Sequence, residues 1–342
     1  MRVSVVIPVF NKAPFLRECL TSVLTQEYTD LELIAVDDAS TDGSLEILKE
    51  QQDHRLRLIE LPRNVGPAGA MQRAIDAARG EYIVRLDADD IMMPHRIEMQ
   101  VAHMDQHPEL IASGGQVILF GNSEHGWWFP LNDAECRAEI LFGQPVCQGT
   151  AIFRRSMLMQ SGIRYLDEWP RVGEDWLFWA SLAPYGKFGN IAEPLIRCRR
   201  GNTNSTAGMS KVEKFEPMVQ RLLKILRIRD DRQAVDTHLL FLRAFKGTPR
   251  RTDVEKLHNW MAELEEWNQE YRFTDAAIFR SRSLAQWKRL YHHLADEGLG
   301  AAIGHMQMDR TELVPKLNYM IRAFLARSFK GSKQHDALDV EK

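Results

Sequence analysis

The chain has 342 residues, 44% of them hydrophobic and 27% charged, with a formal net charge of −3. That length holds about two domains and buries a core without staples, and the near-balanced charge argues against nucleic acid as a partner. Four widely spaced cysteines with no Cys-x-x-Cys pair argue against a disulfide framework or a zinc site and fit a reducing, cytoplasmic setting.

Residues 3–9 form a short apolar run that predicts a buried parallel strand. The run is broken by Asn11 and Lys12, so it is read as a strand and not as a signal peptide. No stretch approaches the ~18 apolar residues of a membrane span, so any membrane contact is expected to be peripheral. Residues 12–26 carry Phe15, Leu16, Leu20, Val23 and Leu24 at helical spacing. A second strand over 31–36 ends at Asp37 and Asp38, and a turn with Asp42 and Gly43 leads to a helix over about 44–51. A third strand over 55–61, a turn at Asn64, and a helix over about 68–79 follow. The fourth strand, 81–86, runs directly into Asp87, Ala88, Asp89 and Asp90. This strand–helix alternation predicts an α/β domain with a mostly parallel sheet and helices on both faces.

Further strands are expected over 111–120, 149–154 and 191–199, with an aromatic loop over 127–130 and a helix over 174–183. From 210 onward helical periodicity takes over, for example at 215–228, 234–245 and 254–271. The expected organisation is an α/β domain over 1–207, an α-helical region over 208–330, and a polar tail without structure over 331–342.

Asn11, Asp37, Asp38, Asp42, Asn64 and the acids at 87–90 all fall at the carboxyl ends of predicted strands, where sheets of this kind bind ligands. Turn formation explains each residue singly, but not acids at three strand ends. Clustered carboxylates repel one another and are costly if left unpaired. A divalent cation, Mg²⁺ or Mn²⁺, bridging them to a diphosphate would compensate. The alternative is an acidic turn capping the next helix.

Residues 3–11 (VSVVIPVFN), 36–44 (VDDASTDGS), Asn64-Val65-Gly66, and 78–83 (ARGEYI) with the Asp-Ala-Asp resemble family 2 inverting glycosyltransferases of the bacterial surface-polysaccharide type. Gly173-Glu174-Asp175-Trp176 resembles the same family's Glu-Asp motif, and the resemblance spans about residues 1–205. It implies a GT-A fold, a Rossmann-like mostly parallel sheet, followed here by the helical region. It also implies transfer of a sugar from a nucleotide-diphosphate sugar, most often a UDP-sugar, to a hydroxyl of a glycan or lipid-linked glycan acceptor. Surface polysaccharide or lipopolysaccharide synthesis is the implied setting.

The resemblance makes Asp89 the direct metal ligand, with Asp87 nearer the ribose or the ion's water shell and Asp90 behind them or capping a helix. Asp38, with Asp37, would meet the nucleotide base. Pro8 and Phe10 would wall it, core packing being the alternative for Phe10. Arg199, rather than Arg197 or Arg200, would lie near the diphosphate, and a basic loop over 199–207 would close over the donor. An acceptor hydroxyl needs a general base. Asp175 is the candidate and Glu174 the second choice, the alternative being a capping pair at a helix start. Gln148 stands where many relatives carry His, next to a segment ending in Arg154 and Arg155 that also resembles the family.

Other signals are weaker. His103 and His107 lie four apart on a probable helix, a poor zinc site by themselves. Trp127 and Trp128 suit either sugar stacking or core packing. Between Glu312 and Asp336 there is no acid, and Leu317, Met320, Ile321, Phe324 and Leu325 form an apolar face beside Lys316, Arg322, Arg327, Lys330 and Lys333. This basic amphipathic stretch, 316–333, fits peripheral membrane contact or docking on its own domain. The helical region can also serve as a homodimer interface. Rival functions are a nucleotidyltransferase on a similar fold and a non-catalytic nucleotide-sugar-binding or scaffold protein.

Overall fold

The structure, a computed structural model, describes residues 1–121, 124–166, 169–170, 172–200 and 209–338, with side chains as far as 325. The chain divides into two compact units, Met1–Gly208 and Met209–Lys342.

In the first unit, β1 (Val3–Val9), β2 (Leu31–Asp37), β3 (Leu56–Glu60) and β4 (Tyr82–Arg85) alternate with α1 (Ala13–Leu24), α2 (Ser44–Glu50) and α3 (Gly66–Ala77). All residues of β2 and β4, and all of β1 but Pro8, are buried, which is why these strands read as continuous apolar runs. α1 turns Leu16, Cys19, Leu20 and Val23 inward at helical spacing. β1 pairs in parallel with β2 and with β4, and β2 with β3, in the order β3-β2-β1-β4. The chain winds outward from β1 to β3, then returns to β1's other side. The switch point therefore lies between β1 and β4, where such sheets open a crevice beyond their carboxyl ends.

The second half adds β5 (Ile91–Met92), α4 (Arg96–Gln106), β6 (Leu110–Gly121), β7 (His125–Trp127), α5 (Asp133–Ile140), β8 (Ile152–Arg154), α6 (Arg155–Ser161), α7 (Glu174–Leu182) and β9 (Lys187–Arg200). Here the sheet is mixed. β8 runs antiparallel to both β4 and β6, β5 runs antiparallel to β9, and β6 lies parallel to β9. A parallel neighbour needs a crossover that returns the chain to the same end. β8 instead leaves a 3₁₀ turn, Gln148–Thr150, that delivers it from the opposite end. That turn also shortens the strand expected over 149–154, because the Thr150 N–H and hydroxyl both donate to the Cys147 carbonyl.

At the edge away from the crevice, Ser4 Oγ donates to Glu32 Oε1 at 2.7 Å and accepts from the Gly80 N–H at 2.8 Å. Arg57 donates to the other Glu32 oxygen at 2.7 Å. A Cβ on Gly80 would stand 2.6 Å from the Ser4 nitrogen and 2.8 Å from the Val3 carbonyl carbon, both backbone atoms. Gly80→Ala is therefore expected to destabilise the unit by about 2–3 kcal/mol. In denaturant melts this appears as a lower midpoint at unchanged slope.

The second unit is helical: α8 (Lys211–Ile225), α9 (Arg232–Phe241), α10 (Arg251–Tyr271), α11 (Ala276–Glu297), α12 (Leu299–Met308) and α13 (Leu313–Leu338). Ser210 and Glu213 form a capping box at its start. Trp260, Phe279, Trp287, Leu290 and Tyr291 fill its core, and the Trp260 indole N–H donates to buried His238. The tail expected to lack structure from 331 instead continues α13 as far as Leu338.

Candidate active site

The loops that leave β1 and β2 are tied together by side chains. Asn11 Oδ1 accepts from the Thr41 N–H at 2.8 Å, and the Asn11 N–H donates to Ser40 Oγ at 3.1 Å. Asp42 accepts from the Ala13 N–H at 3.0 Å and from the Ser44 hydroxyl at 2.6 Å, while the Lys12 N–H donates to that same hydroxyl at 2.8 Å. Asn11 and Asp42, expected among the ligand-facing residues, thus act as braces.

Next to this brace lie the residues expected at the nucleotide base. Phe10 is 44% exposed, which rules out core packing, and Pro8 is partly exposed. Asp38 is buried, with one oxygen accepting from the Val65 N–H at 2.7 Å and the other from the Gly66 N–H at 2.9 Å. It anchors the start of α3. Asp37 is also buried, with Oδ2 accepting from the Ser40 N–H at 3.1 Å and Oδ1 without a partner among the described residues. A buried acceptor in that state is costly unless a ligand supplies the donor.

Across the switch point, the acids after β4 face cations. Lys12 Nζ stands 2.5 Å from Asp89 Oδ2, and the Arg85 guanidinium holds both oxygens of Asp87, at 2.9 and 3.2 Å. Arg199 donates from Nε to the Asp89 carbonyl at 3.2 Å and from Nη2 to Glu18 at 2.6 Å, with its guanidinium 4.5 Å from the Phe15 and Phe120 ring centres. Its backbone N–H donates to Asp90 Oδ1 at 2.8 Å. Burial, followed by the charges of Asp87 and Asp89, pushes the Asp90 carboxyl up to about 8. Asp90 therefore sits behind the other two acids and ties their loop to β9. Arg96, fully buried below, donates to the Arg85 carbonyl at 2.8 Å. Gly149 faces the cluster: a Cβ there would lie 3.4 Å from both Asp87 Oδ2 and Asp90 Oδ2.

The second acidic pair opens α7. Asp175 Oδ1 accepts from the Trp176 N–H at 2.8 Å and Oδ2 from Gln144 Nε2 at 2.6 Å. The Trp176 indole pins the helix by donating to the Ile140 carbonyl at 2.6 Å. Burial raises the Asp175 carboxyl, against the pull of Arg85. Burial and then Asp175 push Glu174 up to about 8. Burial works against the Arg85 charge, but Asp87, Tyr165, Asp175 and Glu174 together outweigh it, and its guanidinium is held firmly protonated. One buried arginine thus joins both acid sets. Gln148 donates to the Tyr165 hydroxyl, and its own Oε1 is buried and unpartnered.

Lys12, Arg85, Arg96, Gln144 and Tyr165 were not singled out in the sequence. Arg85 alone left a signal there, as a charge inside an otherwise apolar strand. Arg154 belongs to the scaffold, donating to the Met104 carbonyl at 2.6 Å and the Tyr82 hydroxyl at 3.1 Å. Arg197 stacks on Phe120, and Arg200 on Trp127. Trp127 lies in β7 against Phe129, whereas Trp128 is 67% exposed. The expected closing loop lies, beyond Arg200, outside the described residues.

The profile described as Glycosyl transferase family 2 matches residues 4–162. The putative glycosyltransferase EpsE of Bacillus subtilis is 32% identical over 209 residues, 58% of this chain and 73% of EpsE. The succinoglycan biosynthesis protein ExoO of Rhizobium meliloti is 32% identical over 196 residues, 54% of this chain and 56% of ExoO. Among solved structures, residues 1–349 of S. aureus TarS superpose with a TM-score of 0.57 at 17% identity, over 85% of this chain and 90% of that fragment, a likeness of fold. Through its matched motifs and these relatives, the chain belongs to glycosyltransferase family 2 and is a glycosyltransferase.

Proposed function

We propose that the chain transfers a sugar from a UDP-sugar to a hydroxyl of a glycan or lipid-linked glycan acceptor, with inversion at the anomeric carbon. The setting is surface polysaccharide or lipopolysaccharide synthesis on the cytoplasmic side. A relative named for succinoglycan biosynthesis supports the polysaccharide setting. TarS, which shares the fold, is described in complexes with UDP and UDP-GlcNAc.

The observation that carries the reading is the pairing of two acid sets around Arg85. Asp87 and Asp89 stand at the switch point beside Lys12 and Arg199, and Glu174 and Asp175 stand within Arg85's electrostatic reach. In this reading Phe10 and Pro8 flank the base, and Asp37 Oδ1, the open acceptor, takes its imide N–H. Asp38 acts indirectly by holding the loop at 64–66. Lys12 and Arg199 bring positive charge to the diphosphate as it leaves.

Asp87 and Asp89 offer hard oxygen donors, and glycine at 149 keeps a side chain from crowding Asp87 Oδ2, which a Cβ there would approach to 3.4 Å, so the residues fit Mg²⁺ or Mn²⁺. Asp89 would hold the ion directly, with Asp87 beside it, and the ion supplies Lewis acidity against the charge on the leaving phosphate. Asp175, oriented by Gln144 and Trp176, accepts the proton of the acceptor hydroxyl. The new bond runs from that oxygen to the anomeric carbon as the bond to the phosphate oxygen breaks on the opposite face.

The test is slow donor hydrolysis across UDP-, GDP- and dTDP-sugars, with Mn²⁺ or with chelator. Release of UDP from one UDP-sugar, stopped by chelator, is the expected result. Folded protein that binds no donor would overturn the reading in favour of a scaffold.

A further inference from the structure

α13 meets its own unit along one side. The Tyr291 hydroxyl donates to the Lys316 carbonyl at 2.5 Å, Lys316 Nζ reaches Asp309 Oδ2 at 2.8 Å, and the Tyr319 hydroxyl donates to Asp296 at 2.9 Å. Tyr319 and Met320 pack on the cluster of Tyr291, Ala295 and Ala302. Two expectations change. Lys316, 5% exposed, is engaged inside the unit, and Met320 belongs to the docked side. Docking and an outward apolar face are not alternatives, since the helix has both.

The outward face carries Leu313, Leu317, Ile321 and Leu325 at steps of four, with Val314 beside them. They are 41–70% exposed. Residues four apart share one side of a helix, so these form a continuous apolar row roughly 18 Å long. Arg310 and Arg322, both exposed, lie near its start and along its flank. From 313 to 335 the sequence holds no Asp or Glu and five Lys or Arg residues, four of them besides the buried Lys316.

Charge selects the occupant of this row. A second copy docked row to row would bring the same cations, with Glu312 before the row's first residue as the nearest exposed carboxylate, so cations face cations along most of its length and like charges side by side repel. An anionic lipid surface supplies hydrocarbon for the row and opposite charge for its flanks. We infer that the outward face of α13, over 313–325, is a docking surface for anionic phospholipid, seating the chain on the membrane without crossing it. Among the described residues no helix is long and apolar enough to span a membrane.

The experiment is co-sedimentation of the full chain with phosphatidylglycerol-containing or pure phosphatidylcholine vesicles, using wild type, Leu317→Glu/Ile321→Glu and Arg322→Glu. All three positions are exposed, and thermal melts check that each variant folds. Wild type is expected to bind the anionic vesicles about tenfold more than the neutral ones, less so in high salt. The double variant should lose about tenfold in binding and Arg322→Glu severalfold. Sedimentation velocity without lipid is run in parallel. Three results would overturn the inference: no binding of wild type to anionic vesicles, variants that bind like wild type, or a wild-type dimer that the double variant dissolves. Donor hydrolysis by the same variants, measured without lipid, stays at the wild-type level, so a failure here is separable from a failure of the proposed reaction.

Discussion

Asp89→Ala is expected to lower kcat/KM by about a thousandfold, roughly 4 kcal/mol of transition-state stabilisation. Turnover that remains should no longer respond to Mn²⁺ or to chelator. The effect on folding is small by comparison. Among the described residues the Asp89 side chain pairs with Lys12, the two side chains being 14% and 23% exposed. Removing the carboxylate from this part-buried pair costs about 1–3 kcal/mol for the ammonium left behind, offset in part by relief of its repulsion with Asp90. The two measurements therefore separate: activity collapses while the melting midpoint falls only modestly. Metal-dependent turnover that survives in Asp89→Ala would remove the residue from the site.

Asp175→Asn should cost about 10²- to 10⁴-fold in kcat/KM, the usual range for losing a positioned general base. Asparagine keeps the shape and can still bond Gln144, so the loss reports proton transfer rather than packing. Glu174→Gln should cost about tenfold or less; the reverse ranking would make Glu174 the base.

The pH profile provides an independent check. Burial raises both acids, and the charge of Asp175 adds to it at Glu174, which reaches about 8, so at neutral pH the pair holds a proton in the folded state. A base must be ionised, and kcat/KM is therefore expected to rise with pH until the pair has ionised, then level off. Asp175→Asn should flatten that rise. Stability runs the other way. Between about 4.5 and about 8 the folded chain keeps a proton that the unfolded chain has released, so this pair's contribution falls as pH rises through that window. A rate that is flat with pH in wild type would refute the assignment.

The alternation in the first ninety residues was enough to read β1 through β4, because parallel strands covered on both faces are continuous apolar runs. The acids of the first half were legible for a related reason: Asp37 and Asp38 close β2 and Asp87 to Asp90 follow β4, so local order in the chain already places them at the crevice. What that order does not encode is who meets whom. Lys12 and Asp89 are 77 residues apart, and Gln144 and Asp175 are 31 apart. Each pair exists only because the strand-end loops converge. The antiparallel half of the sheet escaped for the same reason, since the direction of β8 depends on the turn before it. Asp38 shows the converse limit. Its type and position match a base-binding acid, yet both of its oxygens lie on the backbone of α3's first turn, which only coordinates reveal.

The brace between the first two strand-end loops has a practical bearing on any mutational survey of this enzyme. Asp42 would score among the catalytic acids in a screen that reads activity alone. Its carboxylate keeps Ala13 and Ser44 together, and through Ser44 it fixes the backbone of Lys12, whose amine reaches Asp89. Loss of Asp42 would act on the reaction by loosening the donor cleft, not by removing a chemical group. A survey that also recorded donor affinity and melting temperature would sort the two kinds of acid apart.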